Sequence, residues 1–103
     1  MLKERFAEQL NNFQNQYVPD GHIDLLEGDD IQEDNLLADL PLIDGSTAIY
    51  IQKNPTLYIY KKITPHLILR ITANENSYNV GILKSVAGKI SQSIRSNAIT
   101  STN

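Results

Sequence analysis

The chain has 103 residues, 41% hydrophobic and 20% charged, with 9 basic and 12 acidic side chains and a formal charge of −3. That fits one modest domain, too apolar for a disordered segment, and zero cysteines exclude disulfides, thiolate metal sites and cysteine nucleophiles. No apolar run is long enough to cross a bilayer, and MLKERFAEQL lacks the apolar centre of a secretory signal, so a cytoplasmic location is expected.

Leu2, Phe6, Leu10, Phe13 and Tyr17 recur every three or four residues, the spacing of one helical stripe. A helix is predicted from about Leu2 to Asn12, with Gln16 as its furthest reach. Pro19-Asp20-Gly21 is turn chemistry, because proline presets φ and glycine accepts turn conformations. It either ends the helix or closes a hairpin between Phe13–Val18 and His22–Leu26. Asp29 or Asp30 then caps a short helix through Ile31, Asn35, Leu36 and Leu40, which Pro41 ends. Asp44-Gly45-Ser46 marks a second turn.

Beyond that turn the period changes from helical to extended. Thr47–Lys53, Thr56–Lys62 and His66–Ala73 are rich in Ile, Tyr, Thr and Leu, and the links between them are short. Such links favour an antiparallel meander over parallel crossovers. Alternation predicts an aliphatic face that takes the helices, and a second face with Tyr50, Tyr58, Tyr60 and Ile68. That second face is too apolar for full solvation, so something is expected to cover part of it. Leu83, Val86, Ala87, Ile90 and Ile94 mark a final amphipathic helix, Tyr78 to Ser96, that Asn97 ends. The expected architecture is α+β: an antiparallel sheet of three to five strands packed against N- and C-terminal amphipathic helices. Residues 1–97 form the single domain and 98–103 a flexible tail.

The small net charge hides a division. Residues 1–52 hold 11 acidic and 2 basic side chains, a balance of −9, whereas residues 53–103 carry +6. Nine carboxylates fall between Asp20 and Asp44 with no Lys or Arg among them. Either the halves neutralise each other across the fold, or the acidic stretch steers a basic partner.

No reaction centre is legible. Asp20-Gly21-His22-Ile23-Asp24 misses the calcium-loop spacing, because Leu25 and Leu26 stand where ligands are needed. His22 and His66 are far apart, the serines lack a Gly-flanked elbow, and the glycines form no phosphate loop. No catalytic, cofactor-binding or metal residues are therefore assigned, and no cofactor is expected. Tyr58, Tyr60, Lys61 and Lys62 bring rings and cations together as RNA-binding sheets do, but that strand lacks glycine and the chain is net acidic. Nucleic acid is disfavoured and a protein partner preferred. The candidate contact residues are Asp29, Asp30, Glu33, Asp34, Tyr50, Tyr58 and Tyr60.

From Leu57 to Ser96 the chain reads strand, short turn, strand, polar turn and then an amphipathic helix opened by Asn79, Val80, Gly81, Ile82, Leu83 and Lys84. This segment resembles the C-terminal half of roadblock/dynein-light-chain-type domains, whose helix opens with Asn-aliphatic-Gly-aliphatic-aliphatic-basic. A glycine at position 81 would let the helix approach the sheet closely. In the front half, Pro19-Asp20-Gly21 stands for the family's first hairpin and Ile31–Leu40 for its middle helix, both abbreviated. The resemblance implies a scaffold or regulatory subunit that dimerises and serves a Ras-like GTPase or a motor complex. The function expected is a non-enzymatic protein–protein interaction module, as a homodimer or a small hetero-assembly, with Thr47–Lys53 as an edge open to strand addition. The alternative is a small acidic inhibitor, immunity protein or secretion chaperone that binds a basic surface through residues 20–44.

Overall fold

The computed structural model of the protein describes residues 2–33, 49–64 and 66–100. The chain begins with α1 (Leu2–Arg5) and α2 (Ala7–Tyr17). Phe6, buried and at φ −97°, ψ 6°, separates them, yet its carbonyl still accepts the Leu10 N–H at 2.8 Å. The expected single helix is thus broken once and runs five residues beyond Asn12. Phe13 and Tyr17 stack on that extension, 6.2 Å between centroids.

Pro19-Asp20-Gly21 ends the helix and closes no hairpin. Residues 13–17 stay helical, and strand β1 (His22–Glu27) pairs with a strand far along the chain. The turn needs its glycine. A Cβ at Gly21 would lie 2.6 Å from the Thr72 carbonyl oxygen and 2.8 Å from Val18 Cγ1. Gly28, at φ 60°, then turns the chain into α3 (Asp29–Glu33). The predicted continuation of this helix to Leu40, its stop at Pro41, and the Asp44-Gly45-Ser46 turn lie outside the described residues.

Strands β2 (Ile49–Lys53), β3 (Thr56–Thr64) and β4 (Leu67–Asn74) form the predicted meander. β1 adds to the far side of β4, so the antiparallel order is β1-β4-β3-β2. The final helix, α4 (Val80–Thr100), starts later than predicted and passes Asn97, so residues 98–100 are helix and not tail. This is the α+β architecture read from the sequence: a four-stranded antiparallel sheet with N- and C-terminal helices.

The core lies between one sheet face and the helices. Leu83, Val86, Ala87, Ile90 and Ile94 of α4 meet Leu57, Ile59, Leu69 and Ile71, while Leu10 of α2 and Ile23 and Leu25 of β1 complete the cluster. Burying each such Leu or Ile contributes roughly 1.5–3 kcal/mol. Gln9 Nε2 donates to Ser93 Oγ at 2.9 Å, and the Lys89 ammonium stands 5.8 Å from the Tyr17 ring centre, joining α2 to α4.

The second face holds its own cluster of Leu26, Tyr60 and Ile68, with Ile31, Ile51 and Tyr58 packed on it. Ile31 brings α3 over this face. Register corrects the predicted membership, since directly opposed residues share a face. Tyr58 pairs with Ile51 and Tyr60 with Ile49, whereas Tyr50 pairs with Ile59 of the main core. Tyr50 therefore sits on the helix side, at the rim, and Ile49 and Ile51 join the tyrosines of β3.

Candidate functional site

The two edges of the sheet are not alike. On β1, two backbone donors are taken by side chains of the same chain. Gln14 Oε1 accepts the Ile23 N–H, and Asp30 Oδ2 accepts the Glu27 N–H, each at 3.3 Å. Just past the strand, the Gly28 N–H donates to the His66 carbonyl at 3.4 Å. Side chains that satisfy edge amides blunt an edge against further pairing. On β2, β3 occupies one side, and among the described residues no strand pairs with the other.

The helix side of the β2 rim carries both signs, with Lys84 at Tyr50 and the Glu75 carboxylate accepting from Gln52 Nε2. The Lys84 ammonium lies 5.0 Å from the centre of the Tyr50 ring, a cation–π contact worth about 0.5–1 kcal/mol at an exposed site. Arg95 donates from Nη2 to the Ile63 carbonyl at 2.8 Å, beside the register shift between Lys62 and Thr64. Lys84, Gly88, Ser91 and Arg95 are spaced i, i+4, i+7 and i+11, so they share one flank of α4. A Cβ built at Gly88 meets nothing within 4 Å, but Ser91 on the same flank is buried, so the flank is not open along its length. Lys61 pairs with Leu69 of the core and so faces the same side. Burial pulls the Lys61 ammonium below the ordinary lysine range, and the positive charge of Arg95 adds to the effect.

Asn79 and Lys84 of the helix-opening motif take separate structural parts. Asn79 Oδ1 accepts the Ile82 N–H at 2.8 Å and caps α4. Gly81 does not serve close packing on the sheet: it is exposed, and a Cβ there would touch only Asn79 Oδ1, at 3.4 Å. Among the described residues, Tyr50 and Ile82 are the exposed large hydrophobic ones, at 47% and 53%.

The other candidate contact residues fall in different places. Asp29 and Asp30 lie on α3 with Glu33; Asp29 is exposed, and Asp30 is engaged with the Glu27 amide. Asp34 lies outside the described residues. Tyr58 is half-buried on the second face, and Tyr60, only 2% exposed, is part of that cluster. Tyr60 is buried and Lys61 faces the other side of the sheet, so of the RNA-like grouping only Tyr58 and Lys62 share a partly accessible face. Asp24 bridges β1 and β4, taking Arg70 Nη2 and His22 Nε2 at 3.0 Å each. Among the described residues no three His, Asp or Glu side chains gather as a metal site, and no helix is long and apolar enough to cross a membrane.

Sequence reasoning found Tyr50 and Lys84 separately and missed Arg95 and Gly88. The signal for the flank was present as the i, i+4, i+7, i+11 spacing from Lys84. The chain matches no family model, no curated protein and no solved structure.

Proposed function

We propose that the protein is a non-enzymatic interaction module, a scaffold or regulatory subunit, that receives a protein partner on the outer edge of β2. One observation carries this reading: β1 has edge amides engaged by Gln14 and Asp30, whereas β2 presents an edge with no strand on it among the described residues. An extended segment added there gains backbone hydrogen bonds at once, and specificity follows from every second side chain. The resemblance of residues 57–96 to roadblock-type domains points the same way, toward a multiprotein assembly or a small GTPase. In the test, a captured partner is purified with the protein and amide hydrogen exchange is compared with the free chain. Protection gained in residues 49–53 supports edge docking. Protection confined to residues 29–33 refutes it and favours the acidic-inhibitor reading. A strict monomer by light scattering that retains no partner refutes the interaction module itself.

A further inference from the structure

Pro19-Asp20-Gly21 carries a chemistry that partner binding leaves unused. Asp-Gly is the peptide step at which an aspartyl chain rearranges most readily, because glycine has no side chain to shield the following nitrogen or restrict its motion. Here the step sits inside a hydrogen-bonded turn, closed by the Gly21 N–H donating to the Val18 carbonyl at 2.9 Å. Among the described residues only a glycine takes a positive φ, which excludes a type II turn with Asp20 third and leaves type I. Asp20 is exposed to water, and its N–H donates to Tyr78 Oη at 3.3 Å. We propose that Asp20-Gly21 is a latent isomerisation site: closed while β1 lies on β4, reactive once the turn opens, and unable to refold after it has reacted.

The reaction begins with attack of the Gly21 nitrogen on the side-chain carboxyl carbon of Asp20. The N–Cγ bond forms, the nitrogen gives up its proton, and the carboxyl hydroxyl leaves with a proton as water. Water then opens the cyclic imide at its main-chain carbonyl, breaking that C–N bond and leaving the backbone routed through Cβ and Cγ. One water is lost and one regained, so the product is an isomer with an extra methylene in the main chain. In the folded turn the first step is blocked. Ring closure needs the Gly21 nitrogen eclipsed with Cβ about the Asp20 Cα–C bond, whereas a type I turn holds ψ there at about 0°. Reaching that geometry breaks the bond to Val18 and swings Gly21 away from β4. After reaction the turn cannot close again. Gly21 lies so close to β4 that even a Cβ would stand 2.6 Å from the Thr72 carbonyl oxygen and 2.8 Å from Val18 Cγ1. The next residue, His22, opens the pairing of β1 with β4 opposite that same Thr72, so a lengthened turn throws the strand out of register.

The test ages the intact protein at neutral pH beside a synthetic peptide of residues 17–24, and peptide mapping by mass spectrometry reads isoaspartate at position 20. The folded protein is expected to react at least about tenfold more slowly than the peptide, the factor being set by the free energy of opening the turn. Urea sufficient to unfold the chain brings the two rates together. Equal rates without urea overturn the closed site, and a slow rate that persists in urea shows that the fold is not what protects it. Protein aged in urea is then returned to native buffer, and the isomerised fraction is separated and followed by amide hydrogen exchange. Lost protection in residues 22–27 is expected, and native protection there overturns the barrier to refolding. Asp20→Glu, aged in the same way, is the control. Its longer side chain would need a six-membered ring that closes far more slowly, while Asp44-Gly45, the other such step in the sequence, is unchanged. That variant is expected to regain protection in residues 22–27, and equal loss there places the damage elsewhere and overturns the assignment to Asp20.

Discussion

Replacing Gly21 by alanine tests the junction that carries β1 onto β4. The new Cβ meets the Thr72 carbonyl oxygen at 2.6 Å and Val18 Cγ1 at 2.8 Å. The first contact is backbone of the central strand β4, and Val18 is fully buried, so neither neighbour swings aside. Relief requires the turn to move several tenths of an ångström, a distortion in the range of about 1–3 kcal/mol. Loss of unfolded-chain freedom returns about 0.4–1 kcal/mol, which leaves a net destabilisation of roughly 1–2 kcal/mol. Gly88→Ala is the matched control. It stands mid-helix with nothing within 4 Å of its Cβ, so it should stabilise by about 0.5–1 kcal/mol. Urea unfolding followed by circular dichroism reads both. With a slope near the lower end of about 1–3 kcal/mol per molar, the midpoints move by roughly 1 M in opposite directions. An unchanged or raised midpoint for Gly21→Ala would show that the turn is not pinned against β4, and the placement of β1 would fall with it.

Other expectations are simpler to read. Asn79→Ala removes the side-chain acceptor of the Ile82 N–H and should cost about 1 kcal/mol, with hydrogen exchange quickening first in residues 80–84; uniform loss along α4 would argue against a capping role. Lys61 carries the one pH prediction. Its ammonium ionises below the ordinary lysine value of 10.5 in the folded protein, so the unfolded chain binds the extra proton within that window. Stability contributed by this group therefore rises with pH as it approaches 10.5, and below the window the group is a constant cost. Lys61→Gln should flatten that alkaline rise in a series of melts, and a rise that persists would place its origin elsewhere.

The meander and α4 are legible in the sequence because their determinants are local. Asn54-Pro55 pins Lys53 against Thr56, and the 3.6-residue stripe from Leu83 to Ile94 has one interpretation. β1 is harder because its determinants are distant. His22–Glu27 contains two acids and adjacent leucines, and its partner residues lie as far as fifty positions away, as with His22 and Thr72. Leu25 and Leu26 look like a break in alternation. Both are buried because each belongs to a different cluster on a different face of the sheet. Tyr50 shows the limit of alternation from the other side: period two sorts residues into two sets, and only register says which set faces the helices. The candidate site was legible as separate residues. Its flank was not, because Arg95 reaches the Ile63 carbonyl beside a register shift that no local pattern announces.

The strand order has a consequence for how the protein is made. The strand against which β1 pairs, Leu67–Asn74, comes more than forty residues later in the chain. At about 5–20 residues per second, a ribosome delivers that partner several seconds after β1 has been synthesised. During that interval Ile23, Leu25 and Leu26 lack the strand they pair beside, and Ile23 and Leu25 also lack the final helix of their cluster. The carboxylates of Asp20, Asp24, Glu27, Asp29 and Asp30 surround them in the sequence. Charges of one sign that flank an apolar strand act as gatekeepers against premature association. On this view the acidic front half keeps the waiting strand soluble until β4 arrives.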